Sequence, residues 1–238
     1  MGNHESNIIS RSNKQSVRCT NYHYLFIMAY TYYSRMNETS GNTVSDSISG
    51  LNDTSVTSAI VDWVMGNARK ITWWGTQPVY PTTNAGLIQT STTFVSSFLI
   101  KFDSFTWRPL FIGWTANQLV YWRFDSSTVW AFYTAAGWAS NWLTRTHNFT
   151  TTKRHHVVLR RNTTKEIRVD GVRVANNTWA AAPVAFWNWG AGNWFSFLWL
   201  RNDAWNNWLC SMDEMIVDNT DRSESRIKNQ YLYYKWFM

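Results

Sequence analysis

Residues 155–174 constrain the fold more than any other part of the chain. They read His-His-Val-Val-Leu-Arg-Arg, then Asn-Thr-Thr-Lys, then Glu-Ile-Arg-Val-Asp-Gly-Val-Arg-Val. This is an apolar strand, a polar turn, and a second strand interrupted at Asp170-Gly171, a dipeptide that turns tightly because Gly accepts positive φ. A chain that doubles back on itself in this way commits the surrounding segments to antiparallel pairing.

From residue 71 onward the pattern stays β-like. Short segments at 71–75, 86–90, 93–102, 110–114, 118–124, 128–134, 155–161, 166–170, 184–189, 194–200 and 208–218 are separated by turn residues. Recurrent short strands of this kind indicate a sandwich or barrel rather than βαβ units. Phe94, Ser96, Phe98 and Ile100 alternate with Val95, Ser97, Leu99 and Lys101, the pattern of a strand with cover on both faces. The expected fold is an all-β antiparallel β-sandwich, a jelly roll over 71–238, preceded by an extension over 1–70. Within that extension we expect a polar, basic tail, a strand within 22–34, and a Ser/Thr-rich linker over 39–59. A short helix near 55–66 follows from Val56, Ile60, Trp63 and Val64 at helical spacing before Gly66. A C-terminal helix is expected after the caps offered by Asn219, Thr220 and Asp221. Ile227, Tyr231 and Tyr234 line one face of it, and it is expected to lie across an open sheet edge or end. The segment 134–152, with Trp138, Trp142 and His147, is the longest gap and reads as a loop.

A second block, Ser211-Met-Asp-Glu-Met-Ile-Val-Asp218, is followed by Ser223-Glu-Ser-Arg-Ile-Lys-Asn-Gln-Tyr231. The order of a His-His strand, a strand ending in Val-Asp-Gly, an Asp-Glu strand and a Ser/Glu-initiated helix resembles the laminin-G-like, concanavalin A-like jelly rolls. The resemblance covers roughly residues 71–238. It implies an antiparallel sandwich used mainly to bind glycans or proteins, with some glycosidase members. It also implies a structural part for Asp213-Glu214, anchoring a neighbouring turn or hairpin. Because first and last strands lie side by side in such folds, it allows a Cys19–Cys210 disulfide, the alternative being two separate small hydrophobes.

Hydrophobic residues make up 45% and charged residues 16% of the chain, enough apolar surface for a core. The 17 Trp residues exceed what one sandwich of this size hides. Most are expected to pack internally, while a few on an open face are expected to stack on sugar rings or dock a protein. Between Arg145 and Arg173, eight Lys or Arg face only Glu166 and Asp170. The basic hairpin over 145–173 therefore reads either as a solvated, aggregation-resisting edge or as a patch for an anionic ligand. No nucleic-acid module accompanies it. The apolar stretch 24–33 is too short to span a membrane, and it begins too late and holds too many Tyr for a signal peptide. The five Asn-x-Thr sequons, at Asn37, Asn52, Asn148, Asn162 and Asn176, are what chance supplies in a chain this rich in Asn and Thr.

Catalytic signals are missing. Glu166/Asp170 and Glu214/Asp218 are each four residues apart, about 13 Å along a strand, too far for a retaining glycosidase pair. His155 and His156 alternate faces. No triad, phosphate loop, cofactor signature or Cys/His zinc spacing is present. The expectation is a non-catalytic binding and assembly module on the surface of a larger particle such as a phage virion. It would grip glycan or protein through Trp138, Trp142, Trp187 and Trp189, helped by Arg160 and Arg161, with no metal and no cofactor. The alternatives are a purely structural subunit of a virion or organellar complex, and a divergent glycosidase.

Overall fold

The computed structural model describes residues 32–41, 43–45, 47–48, 52–55, 59–63, 65–71, 79–80, 93–103, 108–115, 118–124, 129–136, 139–146, 149–162, 164–178, 210–218 and 220–238. The largest sheet has eight strands, all paired antiparallel. At its centre β7 (Phe94–Phe102) lies between β12 (His155–Arg161) and β15 (Cys210–Asp218). Beyond β12 come β13 (Thr164–Val169) and β14 (Val172–Thr178), joined through Asp170 (φ 51) and Gly171 (φ 77). Two consecutive positive φ values between the paired residues Val169 and Val172 form the tight primed turn expected of Asp-Gly.

On its other side β15 has two successive partners. Its start, Cys210–Met212, pairs with β5 (Gly66–Ile71), which continues to β4 (Ala59–Trp63), and residues 215–217 pair with β1 (Tyr32–Ser34). The sheet therefore runs across the 70/71 position and draws in strands from the segment read as an extension.

Burial is continuous from Val95 to Ile100, which a central strand with both faces covered requires. On one side Phe102 meets the Phe149 ring edge-on at 5.6 Å, and Phe149 meets His155 at 4.7 Å. On the other side Val95 and Val158 receive Ile227, while Leu99, Ala68 and Trp63 receive Tyr234. Both of these last residues come from the helix α1 (Glu224–Tyr234). An 11-residue helix is marginal alone, so packing on the sheet holds it. It lies over the sheet face, not across an edge or end, and its N-cap is Ser223, whose side chain accepts from the Arg226 N–H. Tyr231, expected on the packed face, is half-buried, and Gln230 takes the buried position between Ile227 and Tyr234.

A second sheet of four strands comprises β8 (Arg108–Thr115), β9 (Gln118–Phe124), β10 (Val129–Ala136) and β11 (Ala139–Thr146), with β11 against β14 of the large sheet. A third, of three strands, joins β2 (Thr43–Ser45), β3 (Asn52–Ser55) and β6 (Val79–Tyr80). The architecture is an all-β, antiparallel, sandwich-like fold with one α-helix among the described residues.

Two local expectations are corrected. The helix expected near 55–66 is instead the β4–β5 hairpin, turned at Gly66 (φ 120). A backbone at that φ ends any helix, and pairing with β15 outweighs the helical spacing of Ile60 and Trp63. The loop expected over 134–152 instead contains β11, which pairs with β10 from Ala136↔Ala139 to Val129↔Thr146.

Candidate functional site

The chemistry-bearing residues gather in three places. The first is the switch between the two partners of β15. Asp213 pairs with Leu99 and Ile216 with Ser97, so β15 carries one residue more than β7 across this interval. Glu214 takes up the bulge at φ 53. Successive strand residues normally point to opposite faces, and a bulge re-aims one of them. Both carboxyls thereby come to the helix-covered side, where Asp213 and Glu214 are fully buried. Glu214 Oε2 accepts from the Tyr33 hydroxyl at 2.5 Å and from the Tyr234 hydroxyl at 3.0 Å. One carboxylate thus joins β1, β15 and α1.

Arg35 Nε stands 3.5 Å from Glu214 Oε1, and Arg154 lies 4.5 Å over the Trp63 ring. Asp213 Oδ1 accepts from the Glu214 N–H at 2.8 Å, while Asp213 Oδ2 makes no hydrogen bond. Burial, then the neighbouring carboxylate, raises Asp213 far above the usual carboxylate range. Burial raises Glu214 too, against the lowering influence of the Tyr33 hydrogen bond and Arg35. Burial and the Glu214 carboxylate hold the Tyr33 phenol protonated well above its ordinary range.

The second place is the basic hairpin. Arg160 grips Asp221 with Nε at 2.6 Å and Nη2 at 2.8 Å, and reaches Glu224 with Nη1 at 2.9 Å. Arg168 bonds Glu166 and Glu224, and Arg173 reaches the same two carboxylates at 3.2 Å each. Lys153 pairs with Asp170. With Arg154 on Trp63, five of the eight cations read as a patch are engaged inside the protein. The sequence reading missed the two acidic residues that α1 and its leading turn bring from far along the chain. Arg160 therefore clamps the helix start. Arg161 is its neighbour on β12, and its side chain lies outside the described residues.

His155 and His156 fall on opposite faces, as their adjacency requires. The Thr150 N–H donates to His155 Nε2 and leaves Nδ1 to carry a hydrogen toward Asp170 Oδ2 at 2.9 Å. His156 is buried between Tyr231 and Tyr234, with ring centroids 6.3 and 5.2 Å away, and neither of its ring nitrogens has a partner. Burial lowers its pKa to about 3. A depressed histidine contributes stability that is complete above the unfolded value near 6.5 and is lost as pH falls toward 3. Between pH 6.5 and 4 this amounts to up to about 3 kcal/mol. Asp213 and Glu214, whose values are raised, act with the opposite sign: their contribution is greatest below the unfolded carboxylate value and declines as pH rises through the folded one. Denaturant midpoints at pH 7 and pH 4 should show a smaller acid loss in His156→Phe than in the parent. An equal loss in both would place the acid sensitivity elsewhere.

The third place is the four-stranded sheet. Trp142 belongs to the middle of β11, opposite Tyr133, which in turn faces Tyr121 and then Phe111. The alternate register sets Arg108, Phe124, Trp130 and Arg145 in one row, with Leu110, Trp122, Phe132 and Leu143 in the next. Trp138, Trp187 and Trp189 lie outside the described residues. Cys210 is a free, buried thiol whose pKa burial pushes up; Cys19, the other end of the disulfide allowed for it, also lies outside them. No group of three or more metal-type ligands gathers among the described residues, and none of their helices is long and apolar enough to cross a membrane.

The sequence matches no protein-family model and no curated protein. The fold is that of antiparallel sandwiches found in both an enzyme and toxin binding domains. Trypanosoma rangeli sialidase in complex with sialic acid superposes with a TM-score of 0.61 at 12% identity, over 94% of this chain and 39% of that one. The botulinum neurotoxin serotype C1 binding domain gives 0.62 at 10% identity, over 87% and 52%. The binding domain of botulinum neurotoxin DC in complex with SialylT gives 0.64 at 11%, over 87% and 52%. This chain thus spans about two fifths to one half of those chains, and at these identities the likeness is one of fold.

Proposed function

We propose that the chain is a non-catalytic glycan-binding sandwich module displayed on the surface of a larger assembly, such as a virion. The observation that carries this reading is the four-stranded sheet β8–β11, in which aromatic residues occupy matched registers on neighbouring strands. Aromatic residues suit the apolar faces of pyranose rings, and strands place residues more precisely than loops do. Similarity of fold to toxin binding domains, one of them in complex with SialylT, supports the same direction. Against a glycosidase stands the use made of the acidic residues. Asp213 and Glu214 are sealed from solvent, and Glu166 is ringed by Arg160, Arg168 and Arg173. Neither arrangement offers the accessible carboxyl pair, about 5–10 Å apart, that glycoside hydrolysis needs.

The second reading is a structural subunit, and it has its own observation. Trp236 is 88% exposed, with Val172 at 62% and Leu232 at 45%, and exposed apolar groups of this size suit a neighbouring chain. A glycan array probed with the intact chain separates the two readings. Binding to a defined set of glycans, with quenching of tryptophan fluorescence, is the expected result. An array with no hits, from a chain that self-associates when concentrated, would favour the structural subunit.

A further inference from the structure

We propose that the outward face of α1 is a docking surface for an anionic lipid bilayer, formed by Leu232 and Trp236 together with Lys228 and Lys235. This surface is separate from the glycan-binding reading and does not rest on it.

Helical geometry defines the face. Ile227, Gln230 and Tyr234 are turned into the sheet. At 100° per residue, Leu232 lies about 160° around the axis from both Gln230 and Tyr234, so it points away from the sheet. The exposed positions Ser225, Lys228, Asn229, Leu232, Lys235 and Trp236 follow the spacing of that one side. The outward side of a surface helix is normally polar. This one carries Leu232 and Trp236 one turn apart, both exposed. The indole is also held there. After α1 the chain tightens into the 3-10 turn Lys235–Phe237, where Phe237 meets Tyr233 with ring centroids 5.7 Å apart. Tyr233 and Met238 in turn pack on the cluster of Trp63, Ala68, Leu99 and Tyr234. With the residues after Trp236 packed down, its ring stays outside.

Charge selects the occupant. Residues 225–238 contain Arg226, Lys228 and Lys235 and no Asp or Glu. Glu224, at the start of the helix, is already held by Arg160, Arg168 and Arg173. Among the described residues no carboxylate pairs with Lys228 or Lys235. The face is therefore apolar and positive at once. A second copy meeting it about a two-fold axis would set these lysines against their own counterparts. A sugar is bound in a cleft, whereas this is the convex outer side of a helix. A bilayer meets both requirements. The indole settles at headgroup level with its N–H in water, and the lysine stems follow the apolar boundary while their ammonium groups reach lipid phosphates and carboxylates. An 11-residue helix is far too short to cross the hydrocarbon, so α1 lies along the surface. From Lys228 to Trp236 the contact runs about 12 Å.

Co-sedimentation of the full chain with vesicles tests the proposal. Vesicles of phosphatidylcholine and phosphatidylserine in equal parts should bind the chain about tenfold or more tighter than phosphatidylcholine alone, because each lysine near an anionic surface is worth roughly fivefold. Lys228→Gln with Lys235→Gln should lower the affinity for the mixed vesicles about 25-fold, while Lys228→Arg with Lys235→Arg should keep it. Trp236→Ala should weaken binding about tenfold. All these positions are exposed, so an unchanged thermal midpoint shows that lost binding is not unfolding. Equal binding to the two vesicle types, or binding to neither, overturns the proposal. So does anionic binding that survives Trp236→Ala or the double glutamine substitution in the folded chain. Self-association that Trp236→Ala disperses, without vesicle binding, would assign the face to a second copy instead and likewise overturn it.

Discussion

Glu214→Ala should cost about 3–5 kcal/mol of stability, the usual penalty for breaking a buried charged hydrogen-bond network by deleting one partner. The carboxylate is buried completely and is the acceptor for two buried phenols, Tyr33 and Tyr234. Alanine leaves both hydroxyls without their acceptor and leaves the half-buried Arg35 without its carboxylate. Because Tyr33 belongs to β1 and Tyr234 to α1, the loss is not local. Both elements should lose hydrogen-exchange protection together, ahead of β7 and β12. Glu214→Gln keeps an oxygen for the two hydroxyls and should cost far less, about 1 kcal/mol. The comparison of denaturant midpoints for the two variants is decisive, because similar midpoints would mean that the acceptor oxygen is not what the network depends on.

Gly171→Ala is the second large effect. Two penalties fall on one methyl group. Gly171 has φ 77, where an L residue with a Cβ is strained, and the added carbon would sit 2.5 Å from Tyr231 Cδ1 and 2.9 Å from Tyr231 Cγ. The ring cannot simply swing away, because it stacks on the buried His156. Strain of about 1 kcal/mol and overpacking of about 1–3 kcal/mol together predict a loss near 2–4 kcal/mol. Thermal unfolding measures it. The cause is separable: Gly171→Ala in a Tyr231→Ala background should cost only the backbone share. A full-sized loss in that background would rule out the tyrosine clash.

The hairpin that carries Gly171 was the most legible part of the chain. Strands β12 and β9 begin and end where residue pattern places them, because their apolar runs are bounded by polar turns, and Asp170-Gly171 makes the expected tight turn because only a backbone tolerant of positive φ closes so short a loop. The Asp213-Glu214 block was legible as structural. Its mechanism was not, since Tyr33 stands 181 positions from Glu214 and nothing local links them. The β4–β5 hairpin was misread because Val56, Ile60 and Trp63 fit a helical stripe in a segment too short for periodicity to arbitrate. β11 was missed because Ser140, Asn141, Trp142, Thr144 and Arg145 show no clean alternation, and its pairing with β10 supplies the strand character that its own residues lack.

The basic hairpin shows the limit of charge counting. Arg160, Arg168 and Arg173 form a cationic run along the chain, yet in the fold they hold Glu166, Asp221 and Glu224. The helix start is pinned there and the surplus charge is reduced.

Turn chemistry and apolar alternation are written in neighbouring residues, so the all-β class, the Asp-Gly turn and the terminal helix could be read one segment at a time. Which carboxylate meets which arginine, where β15 changes partners, and which aromatic residues share a row depend on strand order and register. Those are set by burial summed over residues far apart in the chain, and no local pattern encodes that sum.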